Sequence, residues 1–565
     1  MNKIYNSEFI ADLKKNHPDF SPTIQRILKE GKDHYHVLMY CVRNKRPISG
    51  KEACKLWSDH LGVAWVDLNK SLFQPSAVKK MPRELAKENA ALPMYQLAGV
   101  ITTAMADPVN YDLINKIENI VGAKISPVFA LKDEILDMVD IQLRPDNEIG
   151  EISKGINPEI FAAGMEISKM ELEKYASNKV ITELVDAILF MAVRENATDI
   201  HIEPSEDQII LRYRVDGVLH EKSRLNRELL LPVVSRLKVL ADMDITERRR
   251  PQDGRIGLEL MTMTLNFRIS TVPTVNGEKT VLRMLGQVNK KNIPQIEELS
   301  LSKTIYDWCQ NIINSPNGAF FVTGPTGSGK TTTLFSALQQ INTSEINIMT
   351  IEDPVEYKLP GTNQVQINHS IDLGFAPILK SFLRQDPDVM LIGEIRDLET
   401  ARIATQAALT GHLVLASLHT NNAIQAVTRL VEIGVEPFLV GPSLLGIIAQ
   451  RLVRRLCEKC KEKYTLSREK MDELFDWEGL SPLEIYRAKG CPDCNDTGYS
   501  GRIAIHEMIM INEDLRRMVV NNAPLENLEK EAVKSGYQPM RYDGIKKVIR
   551  GLTTLEEIER ILPEY

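Results

Sequence analysis

Ala319 to Thr331, AFFVTGPTGSGKT, decides the fold. An apolar strand segment, Ala319 to Val322, leads into Gly324 to Thr331, which matches G-x-x-x-x-G-K-[ST], and a helical pattern follows. With strand before and helix after, this is a phosphate-binding loop. Its glycines let backbone N–H groups converge on phosphate oxygens, and the helix adds the positive end of its dipole. Lys330 is then placed to reach the β- and γ-phosphates, and Thr331 to offer its hydroxyl to Mg²⁺. Gly324, Pro325, Thr326, Gly327, Ser328, Gly329, Lys330, Thr331 and Thr332 form the candidate nucleotide site, with ATP and Mg²⁺ the expected cofactors.

Such a loop needs one acid to hold the metal and another to handle the attacking water. Two strand ends downstream supply them. TIEDPVE ends a strand at Glu352 and Asp353, where Pro354 stops the pairing, and DPDVMLIGEIRD ends at Glu394, the place of a Walker-B carboxylate. In TGHLVLASLHTN, His412 and His419 flank an apolar strand. Seven residues of strand span ~23 Å, so the two cannot touch one phosphate. His419, beside Thr420, is either a satisfied structural residue or a γ-phosphate sensor; His412 suits the second role less well. From about residue 295 the runs AFFVTG, INIMTIED, VMLIGEI and LVLASLHT alternate with helical stretches, which predicts a largely parallel sheet covered by helices in an α/β domain.

Upstream, KVITELVDAILFMAVREN predicts a helix over 179–196, and DIHIEP, QIILRYRVDG and LNFRISTV alternate as strands. The stretch LRPDNEIGEISKGINPEIFAAG is polar, without sustained period, and reads as linker. Residues 1–145 mix helical patterning with a short αβ segment, in which LAGVITTAMADP gives two strand pieces. The expected division is 1–145, a linker over 146–175, a domain over 176–292 and a further domain over 293–565. A length of 565 residues accommodates these domains, each with its own core, and 43% hydrophobic with 26% charged residues excludes wholesale disorder. The balance of 69 Lys and Arg against 76 Asp and Glu, −7 overall, excludes a global attraction to nucleic acid or anionic lipid. The N-terminal stretch has no apolar signal-like run, and the apolar segment from Pro437 to Val453 is too broken to span a membrane, so the chain is expected in the cytosol.

Seven cysteines divide into two kinds. Cys41, Cys54 and Cys309 sit singly in apolar patterns, as small core hydrophobes do. Cys457 with Cys460, and Cys491 with Cys494, are two C-x-x-C pairs separated by 30 residues. Two such knuckles complete a tetrahedral four-sulfur site suited to Zn²⁺, structural because no position stays open. In a cytosolic protein disulfides are the weaker alternative.

The boxes GPTGSGKT, TIEDPVE, RQDPDVMLIGEIRD and TGHLVLASLHTN, in this order, resemble the ATPases of type II secretion and type IV pilus assembly. ATDIHIEP, RYRVDG, ERRRPQDGRI and RISTVPTVNGEKTVLRML are similar to that family's PAS-like second N-terminal domain, and the likeness runs from about 180 to the C-terminus. The resemblance implies a hexameric motor with a RecA-like core and ATP held between the second N-terminal and ATPase domains. It implies Glu352 as general base, Glu394 as the Walker-B acid, and Arg268 and Arg283 as arginines for the γ-phosphate. It also implies that 451–505 is a tetracysteine zinc module within the ATPase domain. Arg384 fits a further family arginine, whereas Lys380 stands where arginine is expected. Residues 30–145 resemble, more faintly, the first N-terminal domain, which recruits a membrane-anchored partner; the R-L-G repeats of members that bind cyclic di-GMP are missing, so no such binding is expected. The implied partners are further copies of the chain, an inner-membrane platform protein and the recruiting protein. The implied location is the cytoplasmic side of the inner membrane, held there peripherally through those partners. A nucleic-acid translocase or helicase is the alternative of a different class, disfavoured by 6% aromatics and acidic charge. A pilus-retraction ATPase is disfavoured by the cysteine module and the long first domain.

Overall fold

The structure, a computed structural model, describes residues 6–156, 169–260, 264–285, 293–368, 371–474 and 483–563. The chain divides into two compact units, Met1–Lys290 and Lys291–Tyr565.

The first unit opens with four short helices, Ser7–Asn16, Ser21–Lys29, His34–Asn44 and Gly50–Leu61, around Phe9, Leu13 and Trp57. Cys41 and Cys54 lie buried in this core, as the sequence predicts. A three-stranded sheet follows, of β1 (Ala91–Leu97), β2 (Val100–Met105) and β3 (Lys124–Phe129). β1 and β2 form an antiparallel hairpin, so LAGVITTAMADP holds one strand, β2, rather than two, its Leu97 closing β1 and Ala98-Gly99 making the turn. The expected linker differs. Glu148–Lys154 is a helix whose Ile149 is buried in the unit's main core together with Ile156, and Arg144 lies over the Phe190 ring while pairing with Glu148. Lys169–Ala176 is also helical, with Leu172 and Ala176 buried. Ile149, Ile152 and Ile156 recur at helical spacing, a pattern hidden by the polar residues between them. Residues 157–168 of that stretch lie outside the described residues.

The helix predicted over 179–196 is Lys179–Arg194, and it covers one face of a six-stranded antiparallel sheet. Its strands are β4 (Asp199–Pro204), β5 (Gln208–Val215), β6 (Val218–Asn226), β7 (Gln252–Glu259), β8 (Thr264–Thr274) and β9 (Gly277–Leu285), in the order β6-β5-β4-β9-β8-β7. Ile200, Tyr213, Ile256, Phe267, Ile269 and Leu282 point into the core, and their neighbours along each strand point away.

The second unit is built on β10 (Gly318–Thr323), β11 (Ile348–Glu352), β12 (Asn363–Gln366), β13 (Val389–Ile392), β14 (Leu413–Leu418) and β15 (Leu444–Leu456). A hairpin of β16 (Glu462–Thr465) and β17 (Glu484–Arg487) follows, and β18 (Tyr499–Met510) returns to the main sheet. The sheet order is β12-β11-β13-β14-β10-β15-β18, parallel throughout except for β18. β10, β11, β13 and β14 are buried on both faces, which is why they read as unbroken apolar runs. The segment from Pro437 to Val453 becomes a short helix, Pro437–Ser443, and the inner part of β15. Among the described residues no helix is long and apolar enough to cross a membrane.

Candidate functional site

The phosphate loop turns from β10 into the helix Lys330–Ile341 and is braced from beneath by β15. Gln450 on β15 is almost wholly buried, donates from Nε2 to the Ser328 carbonyl (2.9 Å) and accepts from Thr333 Oγ1 (2.8 Å). Gly324 has φ +146°, and a Cβ there would stand 2.5 Å from the Gln450 carbonyl oxygen, so only glycine lets the loop pass this close. Lys330 Nζ donates to the carbonyls of Gly324 (2.8 Å) and Pro325 (3.1 Å). Burial pulls its ammonium down to about 8, with Glu394 opposing and Arg451 reinforcing. Ser328 Oγ is buried and, among the described residues, has no hydrogen-bond partner. A buried hydroxyl without a partner among the described residues and an ammonium held on loop carbonyls are a donor set that suits an oxyanion. Thr331 and Thr332 lie half-buried on the first helical turn, Thr332 against the Tyr357 hydroxyl.

Both acids stand at the C-terminal ends of neighbouring parallel strands, since Ile351 on β11 is level with Ile392 on β13. Gly393 permits this closeness, because a Cβ on it would meet the Ile351 carbonyl oxygen at 3.0 Å. Glu352 is buried, and its Oε1 accepts from Thr350 Oγ1 (2.6 Å) and Gln364 Nε2 (3.0 Å). Burial raises its carboxyl pKa against those hydrogen bonds. Glu394 takes Arg396 on Oε1 (2.5 Å) and His419 Nε2 on Oε2 (3.2 Å). Lys330, Glu394 and His419 are therefore grouped at one end of the sheet. His419 is held there by its neighbour: the Thr420 N–H donates to Thr323 Oγ1 (2.9 Å), the last side chain before the loop. His412, at the other end of β14, bonds the Ala407 carbonyl through Nδ1 (3.0 Å), a structural contact. A groove of about 530 Å³ opens beside the loop, lined by Gly324, Pro325, His419, Asn421 and Arg429 among others. Lys380 pairs with Glu399, and Arg384 bonds the Lys380 carbonyl (3.0 Å), keeping that guanidinium on its own helix end.

In the first unit, Arg268 on β8 and Arg283 on β9 stand directly opposite each other on the solvent face of the sheet. Arg283 Nε donates to Asp199 Oδ1 (2.9 Å), and Arg268 lies 3.9 Å from Asp253.

The four paired cysteines converge. Their sulfurs all lie within 4.8 Å of one another, with Cys457 to Cys491 and Cys460 to Cys494 at 3.8 Å and Cys491 to Cys494 at 3.7 Å. A tetrahedron with metal–sulfur bonds of ~2.3 Å has edges of ~3.8 Å, whereas a disulfide needs ~2.05 Å. The N–H groups of Cys491 and Gly498 both donate to Cys494 Sγ at 3.2 Å, the polarisation a metal thiolate requires. This donor set fits a tetrahedral metal. Cys309 is separate and buried.

Residues 174–560 match the family described as Type II/IV secretion system protein. The chain belongs to that family. It is accordingly an ATPase, and its second unit is the RecA-like core expected of this secretion family. Residues 61–140 match the MshEN domain, inside the stretch of fainter resemblance. Type IV pilus assembly ATPase PilB of Myxococcus xanthus is 41% identical over 516 residues, covering 89% of each chain. Type II secretion system ATPase E of Vibrio cholerae is 48% identical over 386 residues, 68% of this chain and 76% of its own. Type II secretion system protein E of Xanthomonas campestris is 39% identical over 525 residues, 91% of each. These relatives give the nucleic-acid translocase no support.

Gln450, Thr323 and Gln364 organise the site without belonging to any of its motifs. Gln450 lies within the broken apolar run from Pro437 to Val453, and a glutamine inside a buried strand is itself a signal of a polar partner. Thr323 and Gln364 carry no motif signal, because their partners lie 97 and 12 residues away.

Proposed function

We propose that this chain is the hexameric ATPase at the cytoplasmic face of the inner membrane that powers assembly of a type IV pilus or a type II secretion pseudopilus. The observation that carries this reading is the grouping of Lys330, Glu394 and His419 beside the phosphate loop, in a chain matched over about nine-tenths of its length by a type IV pilus assembly ATPase and by a type II secretion system protein E. Thr331 and Glu394 are the proposed holders of Mg²⁺, which when bound neutralises charge on the triphosphate. Lys330 exchanges its loop carbonyls for the β- and γ-phosphates. Glu352 takes the proton from the attacking water, and its burial-raised pKa moves the base toward working pH. His419 holds Glu394 in orientation. Arg268 and Arg283 are the proposed γ-phosphate arginines, each offering a planar fork to phosphoryl oxygens. The four cysteines hold Zn²⁺ structurally over 451–505, and residues 1–145 recruit a membrane-anchored partner while an inner-membrane platform protein receives the motion.

The test is copurification of the untagged complex from its own membrane, with ATPase rate and oligomeric mass measured on the purified chain. Magnesium-dependent turnover by a hexamer bound to a platform protein is expected; a monomer stimulated by DNA in a salt-sensitive manner would overturn the reading. For the cysteines, elemental analysis is expected to give one zinc per chain. Cys494→Ser should lose it and loosen 451–505 in hydrogen exchange, while the Kd for ATP stays within about threefold, because the parallel sheet nucleates separately. Four cysteines freely titrated by a thiol reagent in the native protein would defeat the assignment.

A further inference from the structure

The register of the six-stranded sheet lines up one row of side chains across five strands. Arg255 on β7 faces Arg268 on β8, Arg268 faces Arg283 on β9, Arg283 faces Asp199 on β4, and Asp199 faces Arg214 on β5. All five lie on the face turned away from the core. Like charges directly opposite on neighbouring strands are destabilising, and this row places three arginines in succession. The single acid, Asp199, is buried beneath the far end, where it bonds Arg283 at 2.9 Å and lies 3.6 Å from Arg214. Asp253 approaches Arg268 only to 3.9 Å, and among the described residues Arg255 makes no ion pair. Arg268 and Arg283 remain 59% and 62% exposed, and the bond from Arg283 to Asp199 is made through Nε, so both side chains stay open to solvent.

We propose that Arg255, Arg268 and Arg283 form one strip for the triphosphate chain of a nucleotide, with Arg255 its third phosphate-contacting arginine. At ~4.8 Å between strands the three Cα positions span ~10 Å, and long guanidinium arms on that base converge on an anion the size of a triphosphate. Asp199 acts as a positioning residue, fixing the Arg283 end of the strip so that its fork is pre-oriented. The repulsion the row costs in the free protein is relieved only when an anion lies across it. This rests on the reading of Arg268 and Arg283 as γ-phosphate arginines.

The experiment labels arginines of the wild-type full chain with phenylglyoxal and reads each site by peptide mass spectrometry. A non-hydrolysable ATP analogue with Mg²⁺ is expected to slow modification of Arg255 together with Arg268 and Arg283. Protection of Arg268 and Arg283 with Arg255 unchanged would overturn the strip and leave the two-arginine reading standing; protection of none would overturn both. Equal protection by inorganic tripolyphosphate at the same concentration would overturn the nucleotide as its ligand. Arg255→Gln should lower turnover about tenfold or more with the KM for ATP within about twofold. Because it removes a like-charged neighbour, its thermal midpoint should hold or rise, which a merely structural arginine would not show. Wild-type turnover in Arg255→Gln alongside impaired Arg268→Gln and Arg283→Gln would again refute the third contact alone.

Discussion

The two large sheets of this chain use opposite parts of themselves. The parallel sheet of the second unit is covered on both faces, so its proposed functional groups stand at strand ends: Glu352 closing β11, Glu394 after β13, His419 after β14 and the phosphate loop after β10. The antiparallel sheet of the first unit buries one face and turns the other to solvent, so its charged groups stand on the face, in register from strand to strand. A buried strand has no free side chain except where it stops; a half-buried strand offers every second residue. Positions that act at an end are fixed by turns and loop braces, and positions that act on a face are fixed by cross-strand pairing.

If strand ends carry the chemistry, the largest loss belongs to Lys330. Lys330→Ala removes the ammonium folded over the phosphate loop and should lower turnover by more than about 10³-fold while circular dichroism and oligomeric mass stay unchanged. Near-normal turnover in a folded mutant would move the chemistry away from the strand ends. The next loss separates the two acids. Glu352→Gln should still bind magnesium ATP but turn over at least about 10²-fold more slowly, the usual cost of losing a general base. Should Glu352→Gln be active and Glu394→Gln be inactive yet still bind magnesium ATP, the two roles are exchanged.

The same contrast explains what the sequence disclosed. The end-borne groups were legible because a turn or loop brace demands particular residues in consecutive order, such as Gly324 to Thr331 or the Gly393-Glu394 pair after an apolar run. The alternating strands and the helix Lys179–Arg194 were legible by period. The row Arg255, Arg268, Arg283 was not, since register is set by pairings that no single strand records. The helix Glu148–Lys154 was hidden for a related reason: two isoleucines on one narrow stripe carry little weight among charges until the core they enter is known.

The difference between the sheets also predicts unequal sensitivity of their apolar residues. Leu415 in β14 is fully buried, and Leu415→Ala should cost roughly 2–5 kcal/mol of unfolding free energy. Val272 in β8 lies on the open face, 45% exposed, and Val272→Ala should change stability by no more than about 0.5 kcal/mol. Denaturant midpoints at constant m-value measure both, and equal losses would mean that the solvent face of the antiparallel sheet is covered in solution.

The finest separation of end from face comes from pH. Arginines on the sheet face stay charged at any working pH, and a phosphate's second ionisation lies near roughly pH 6, so neither changes above pH 8. Lys330 does, because burial brings its pKa in the free protein to about 8. A triphosphate against the ammonium favours the charged form and raises that pKa again. Binding above pH 8 must therefore take up a proton, and the Kd for ATP, flat below pH 8, should weaken toward tenfold per pH unit above it. The sign for folding is the reverse. The folded pKa lies below the unfolded value of ~10.4, so the unfolded chain holds more protons between about pH 8 and 10, and this group's contribution to stability rises with pH across that window while nucleotide affinity falls. Titration calorimetry at pH 8.5 in two buffers of different ionisation enthalpy measures the uptake directly. A Kd independent of pH from 7 to 9.5, with no buffer dependence, would show that the charge meeting the phosphate resides on groups that do not titrate, the sheet-face arginines first among them.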